Sequence, residues 1–351
     1  MYYEEMLKKV KELQKKSDIT ILGIESSCDE TSVAVVKNGR EVLSNVISTQ
    51  IDIHTRFGGV VPEVASRNHL MAFNGVLDSA LKQANVTLRD IDAIAVTYGA
   101  GLIGALMVGV TFAKTLAYSL NIPLIAVNHI RGHMCANYIS HKDLTPPFVG
   151  LIVSGGHTAI VKVDNYTDFK VIGSTLDDAI GECYDKVARV IGLGYPGGPK
   201  VDKCAKEGKY SIKFVKDKLK KSYDSSFSGL KTAVINYVHS LNQKGKELPI
   251  NDICASFQCE AVLPLVEKTL RAAKNFGYKK VCMAGGVSAN KFLRESLSSG
   301  GKEQGIEVYY PEMSLCTDNA AMIASQGYFN LINNVGISGL DLDAVSSINL
   351  E

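Results

Sequence analysis

Phe148-Val149-Gly150-Leu151-Ile152-Val153-Ser154-Gly155-Gly156-His157-Thr158 is the stretch on which the fold turns. Its first six residues read as a buried strand and Ser154-Gly155-Gly156 as a turn. Residues 158–163 read as the returning strand and 169–173 as a third. The chain opens in the same way. Ile19-Thr20-Ile21-Leu22-Gly23-Ile24-Glu25 is an apolar run, residues 26–30 a small polar turn, and 31–36 the return. Asn38-Gly39 marks the next turn, and residues 41–47 make a third strand. Strand-turn-strand-turn-strand therefore occurs twice, and in each half helices then alternate with strands.

In the first half the pattern predicts a helix at 64–83, a strand at 93–97, a helix at 106–120 and a strand at 124–127 that leads into a helix bearing two histidines. In the second it predicts helices at 178–191 and 253–274, a strand at 280–284, a helix at 290–297, a strand at 306–309 and a helix at 317–330. Two mixed α/β lobes flanking a cleft are the expected architecture. Pro146-Pro147 sets the boundary, giving lobes at 19–146 and 147–351, with the last helix free to cross back to the first. Residues 1–18 form a charged extension, read as a short helix that packs on the body through Leu7, Val10 and Leu13.

A length of 351 residues favours two such units over one core. The net charge of +2 announces no whole-protein field for nucleic acid. Eight cysteines without a CxxC pair argue against a zinc knuckle or a disulfide framework and for reduced thiols. The first sixteen residues lack the apolar core of a signal peptide, and no apolar run reads as a membrane span. A cytoplasmic protein that engages no membrane is expected.

The chemistry concentrates in a few places. His129 and His133 lie four apart, on one face of a helix, as two ligands of one transition metal would. The same pair also reads as two satisfied core histidines. Asp318, in Cys316-Thr317-Asp318-Asn319, is the candidate third ligand, and helix capping by Thr317 or Asp318 is the alternative. In His-Glu-x-x-His proteases a glutamate follows the first histidine; here that residue is Ile130, which argues against proteolysis. Ser154-Gly155-Gly156 offers bare backbone N–H groups to an anion. Met283-Ala284-Gly285-Gly286-Val287-Ser288-Ala289-Asn290 follows a strand and opens a helix, another anion-holding setting. The turn Ser26-Ser27-Cys28-Asp29-Glu30 either faces a phosphate, with Asp29 or Glu30 near a metal, or is a plain hairpin turn. Asp185 and Asp202 flank Gly192-Leu193-Gly194-Tyr195-Pro196-Gly197-Gly198-Pro199 and read as acceptors for ribose or adenine, or as ordinary helix salt bridges. Residues 200–221 hold nine lysines against three acids, a solvated face or a phosphate-backbone contact.

Together these motifs resemble one family over nearly the whole chain after Thr20: the bacterial TsaD family of tRNA N6-adenosine threonylcarbamoyltransferases, formerly called O-sialoglycoprotein endopeptidases. Gly23-Ile24-Glu25-Ser26-Ser27-Cys28-Asp29-Glu30-Thr31-Ser32, His129-x-x-x-His133, Val153-Ser154-Gly155-Gly156-His157-Thr158, Tyr195-Pro196-Gly197-Gly198, Phe227-Ser228-Gly229-Leu230-Lys231-Thr232, Gly285-Gly286-Val287-Ser288-Ala289-Asn290 and Thr317-Asp318-Asn319 carry it. Arg131 stands where many relatives have glutamate.

The resemblance implies the two-lobed actin-like/hexokinase/Hsp70 ATPase fold, with duplicated ribonuclease H-like domains and an interlobe cleft. It implies transfer of threonylcarbamoyl from threonylcarbamoyl-adenylate to the exocyclic amine of the adenosine 3′ of the anticodon, in tRNAs reading codons that begin with A. It makes His129, His133 and Asp318 ligands of one divalent metal, iron(II) first and zinc second. It gives Ile152, Val153, Ser154, Gly155, Gly156, Asp185, Gly198, Asp202 and Asn290 to the adenylate. It implies tRNA as substrate, with the same-fold paralogue TsaB and the small ATPase TsaE as partners. It identifies no general base. A small-molecule kinase of the same fold, a metalloprotease and a non-catalytic nucleotide-binding scaffold are the competing readings.

Overall fold

The computed structural model describes residues 2–215, 219–348 and 350. The chain divides into two compact units. The first comprises residues 1–146, 165–169 and 311–351, and the second 147–164 and 170–310. Residues 311–351 thus fold with the first unit rather than with the segment that precedes them. The physical cause is burial of the last long helix, described below.

The first unit is built on a sheet of β1 (Thr20–Glu25), β2 (Glu30–Lys37), β3 (Glu41–Thr49), β4 (Ala93–Gly99), β5 (Leu124–Asn128) and the short β11 (Ile337–Ser338), ordered β11-β5-β4-β1-β2-β3. β1 pairs antiparallel with β2 and parallel with β4. The second unit repeats the scheme with β6 (Phe148–Val153), β7 (Thr158–Asn165), β8 (Asp168–Ser174), β9 (Lys280–Ala284) and β10 (Glu307–Tyr309), ordered β10-β9-β6-β7-β8. There too the opening strand is antiparallel to its successor and parallel to the later one. The doubled opening of the sequence is a doubled sheet topology.

Strand alternation sorts the first unit's core into two layers. Ile21, Ala95, Ile125 and Val127 pack on one face with Ala320, Ala321, Ile323 and Ala324 of α11 (Ala320–Ile332) and its flank. Leu22, Ile24, Ile94 and Val96 pack on the other with α3 (Pro62–Ala84) and α4 (Ile103–Leu120). Close approach of α11 needs two glycines. A Cβ on Gly23 would lie 2.2 Å from Ala320 O, and one on Gly327 2.4 Å from Ala95 Cβ. α11 is buried along most of its length, and its buried polar groups find partners there: Asn330 Nδ2 donates to Ala126 O of β5 and Ser325 Oγ to Gly39 O.

Helix α4 has 18 residues and is apolar enough to cross a membrane, which corrects the expectation that no run would qualify. Its Leu106, Val110, Ala113 and Ala117 instead form core against β4 and α3.

The N-terminal extension is helix α1 (Tyr2–Leu13), with Met6 and Val10 fully buried, while Leu7 is only half-buried. It caps carbonyls left open at two helix ends. Lys9 Nζ donates to Asn121 O and Tyr2 Oη to Ile122 O beyond α4, and Gln14 Nε2 donates to Leu331 O and Ile332 O of α11.

The second unit's core is one cluster. In it α6 (Ile180–Val190), α7 (Gly197–Ala205), α8 (Ser228–Gln243) and α9 (Ile250–Phe276) pack with β6 and β9. The sequence pattern does not announce helix α8, because Thr232-Ala233-Val234-Ile235 favours strands by local propensity. Burial of Leu230, Val234 and Val238 on one helical face overrides that preference.

Candidate metal centre and nucleotide-binding loops

His129 opens helix α5 (His129–Ser140) directly after β5. Asn128 caps that helix, its side chain accepting from Ile130 N and Arg131 N. His133 follows one turn later on the same face, and the two rings stand 4.6 Å apart, edge to face. Asp318 arrives from just before α11. The helix cap there is Asn319, which accepts from Met322 N, so neither Thr317 nor Asp318 is used for capping. Asp318 Oδ1 lies 3.4 Å from His129 Nε2 and 3.2 Å from His133 Nε2. One ligand atom from each of the three falls within a 4.8 Å cluster.

A fourth residue completes the arrangement, and sequence reading missed it. Glu25, fully buried at the end of β1, places Oε2 3.0 Å from His129 Nδ1. Thr97 Oγ1 and the amide of Ser27 each donate to the Glu25 carboxylate at 2.5 Å. Burial opposes ionisation of Glu25, but the His129 charge and these hydrogen bonds win, and its carboxyl is held below the ordinary range. An ionised carboxylate only accepts, so Nδ1 carries a proton toward Glu25; in the metal-free protein Nε2 carries one toward Asp318 as well, and that second proton is the one a metal would displace. The signal was present in the sequence as a lone acid closing an otherwise apolar strand.

The residues fit a divalent metal. Both ring nitrogens of His133 are buried without a well-directed hydrogen bond, an arrangement that is costly unless something else binds there. Burial likewise opposes ionisation of Asp318, yet the imidazoles hold it far below the usual carboxylate range, and the acids raise His129 well above its own. Three protein ligands leave coordination positions open. Asp29 and Glu30 stand outside the three-residue cluster. Burial, then Asp318 and Asp29, push Glu30 up to about 9.

The second unit gathers the other sequence candidates. Ser154 closes its turn, its amide donating to His157 O and its hydroxyl accepting from His157 N. Gly155 and Gly156 are exposed and have open space where a side chain would stand. Ile152 and Val153 are fully buried, so only their backbone is available to a ligand. Gly181 of α6 abuts the turn, where a Cβ would lie 2.6 Å from Ser154 O. From α6, Tyr184 Oη reaches Gln258 Oε1 at 3.3 Å. Asn290 Nδ2 donates to Gln258 Oε1 at 3.0 Å and lies 3.3 Å from Asp202 Oδ1. Asn290 also caps α10 (Lys291–Glu303) by accepting from Leu293 N.

Asp185 accepts from Gly197 N at 2.6 Å, so it holds the glycine loop that carries Gly198, and burial raises its pKa. Asp202 pairs with Lys206 at 3.0 Å. Tyr184 and Gln258 were not foreseen, because each lies on the inner face of a helix that reads as core.

The family model for TsaD, tRNA N6-adenosine threonylcarbamoyltransferase, matches residues 41–325. A protein of that description from Clostridium perfringens is 57% identical over 332 residues, covering 94% of this chain and 98% of its own. Those from Clostridium novyi and Clostridioides difficile are 55% and 54% identical over 336 residues, covering 95% of this chain and at least 98% of theirs. The chain belongs to the TsaD family.

Solved structures show the fold of this TsaD-family chain. HypF from T. kodakarensis superposes with a TM-score of 0.60 at 14% identity, over 90% of this chain and 48% of that one. Component A of (R)-2-hydroxyglutaryl-CoA dehydratase from Acidaminococcus fermentans gives 0.52 at 17%, over 89% and 99%. The α/β fold is of the actin-like ATPase class.

Proposed function

We propose that this protein transfers the threonylcarbamoyl group from threonylcarbamoyl-adenylate to N6 of the adenosine 3′ of the anticodon, in tRNAs reading codons that begin with A. The observation that carries the reading is the His129–His133–Asp318 cluster, with its buried His133 nitrogens lacking a well-directed hydrogen bond and its Glu25 support, in a chain more than half identical to transferases of this description. The N6 amine attacks the carbamoyl carbon, the C–O bond to the AMP phosphate breaks, and the amine proton is lost to solvent or a base. AMP leaves with the bonding electrons. A divalent metal bound by His129, His133 and Asp318 would act as a Lewis acid on an oxygen of the donor. Two histidines and one carboxylate suit iron(II) first and zinc second.

Glu25 orients His129. Gly155 and Gly156 offer N–H groups to the adenylate phosphate, and Asp202, Gln258 and Asn290 offer polar atoms to its nucleoside. TsaB and TsaE are the protein partners this reading carries, and the cytoplasm is its compartment. Purified metal-loaded protein, with its partners, is assayed with tRNA and threonylcarbamoyl-adenylate. Modified tRNA and stoichiometric AMP are expected. Phosphorylation of a small acceptor by ATP, or metal-dependent cleavage of a sialoglycoprotein, would replace the reading with the kinase or the protease.

Two further results are expected. Asp185→Ala releases the Gly197–Gly198 turn, and Asn290→Ala removes the amide shared by Gln258 and Asp202. Each loses hydrogen bonds worth on the order of 1 kcal/mol, more where a buried partner is stranded, so AMP affinity falls about 5- to 10-fold in calorimetric titration. Unchanged affinity in both variants removes these residues from the site.

Lys209, Lys213, Lys220 and Lys221 are exposed and have no carboxylate partner among the described residues. Lys216 and Lys218 of the same run lie outside the described residues. Replacing several of these lysines with glutamate weakens tRNA binding and flattens its salt dependence, because fewer counterions are released. Equal slopes for variant and parent assign the run to the solvated surface.

A further inference from the structure

We propose that Phe57 is a stacking platform for an unpaired nucleobase of the tRNA anticodon loop. This inference rests on the reading above that tRNA is the substrate. Phe57 is 61% exposed, yet backbone hydrogen bonds tie its turn together. His54, fully buried in α2 (Ile51–Thr55), accepts from Phe57 N and Gly59 N through its carbonyl, at 3.0 and 3.2 Å. Its Nδ1 accepts from Val61 N at 3.3 Å. Gly58, at φ +73°, turns the chain back through its amide to Thr55 O, and nothing lies within 4 Å of where its side chain would stand. The turn is open on that side. Beside Phe57 the exposed Arg56 makes no ion pair among the described residues, leaving its guanidinium for a phosphate.

Position supplies the second reason. β1 and β3 run in the same direction through the antiparallel β2, so the loop after Thr49 leaves the sheet edge at which β1 delivers Glu25. Gln50 N donates to Asp29 O at 3.0 Å, and Ser27 Oγ of that same turn lies 3.2 Å from His129 Nδ1. The aromatic turn and the metal ligands are thus joined through one short polar segment. Single-stranded RNA loops are held by stacking unpaired bases on aromatic rings, with cationic groups on the backbone. An exposed phenylalanine next to that arginine, on the loop that leaves the sheet at the end where Glu25 lies, has that chemistry.

The test uses the full metal-loaded chain and an unmodified tRNA with its isolated anticodon stem-loop. Phe57→Ala weakens binding of both RNAs about 5- to 100-fold, the range for loss of one stacked base. Metal content and AMP affinity stay at the parent value, since the ring contributes little to the core. Phe57→Trp restores RNA affinity and Phe57→Leu does not, because leucine keeps apolar area without a π face. Parent-like RNA binding by Phe57→Ala overturns the proposal. Rescue by Phe57→Leu also overturns it, because apolar area without a π face would then suffice. Absence of transfer by the parent protein would strike the proposed reaction. Normal transfer by the parent with unaltered RNA binding by Phe57→Ala would strike only the stacking.

Discussion

Replacing His133 with alanine strips the metal and abolishes transfer, while AMP binding survives. Metal per chain is measured by elemental analysis, beside calorimetry with AMP and the transfer assay. His133 is the cleaner of the two histidines to remove. Its Nε2 lies 3.2 Å from Asp318 Oδ1, but Asp318 keeps His129 at 3.4 Å after the change, so no carboxylate is left without an imidazole. His129→Ala removes the same metal but leaves Glu25 fully buried without its imidazole. Breaking a buried pair by deleting one partner costs about 3–5 kcal/mol, so that variant also loses stability. Glu25→Ala keeps all three ligands and lowers metal affinity about 10- to 100-fold, the usual cost of a lost supporting partner.

The pH dependence has a definite sign. His129 is raised above its ordinary value of 6.5, so in the metal-free protein it keeps its proton to higher pH. Its pairing with Asp318 and Glu25 stabilises that form fully below 6.5, and the contribution is lost as pH rises through the raised value. A metal must displace this proton, so its affinity increases with pH across the same range. Full metal occupancy in His133→Ala, or full transfer without metal, would show the centre misassigned.

Substitution of Gly23 has the second large effect. An added Cβ would meet Ala320 O at 2.2 Å and Ala324 N at 2.9 Å, both backbone atoms of α11. Neither can swing away, so the helix must shift off the sheet. Gly23→Ala costs about 1–3 kcal/mol of stability, and Gly23→Val more. Because Asp318 lies two residues before α11 begins, the metal weakens in step. Gly75→Ala is the control. Gly75 lies in α3 with nothing within 4 Å of the new methyl, and the change there stabilises by about 1 kcal/mol through helix propensity. Parallel melting curves for Gly23→Ala and the parent would mean that α11 does not rest on β1 as described.

Local periodicity by itself determined much of this protein. Apolar runs punctuated by Asn38-Gly39 and Ser154-Gly155-Gly156 announced both strand openings, and the structure has both. Helices α3, α4 and α9 were legible within a few residues at each end, because their buried faces recur every three or four residues. The four-residue spacing of His129 and His133 is enough to put both imidazoles on one helical face.

What tertiary structure decided is what depends on contacts between residues far apart in sequence. Strand propensity hid α8 until one face was buried. The sequence left the last helix free to cross back to the first lobe without deciding it, since no local pattern says which sheet an apolar helix will cover, and the structure folds residues 311–351 with the first unit. Capping by Asn319 rather than by its neighbours left Asp318 free to face the histidines. Glu25 looked like the end of a strand. Only the parallel pairing of β1 with β4 and β4 with β5 carries it to Thr97 and to His129 beyond β5. Periodicity reports which face of an element seeks burial, and only the assembled fold sets what that face meets.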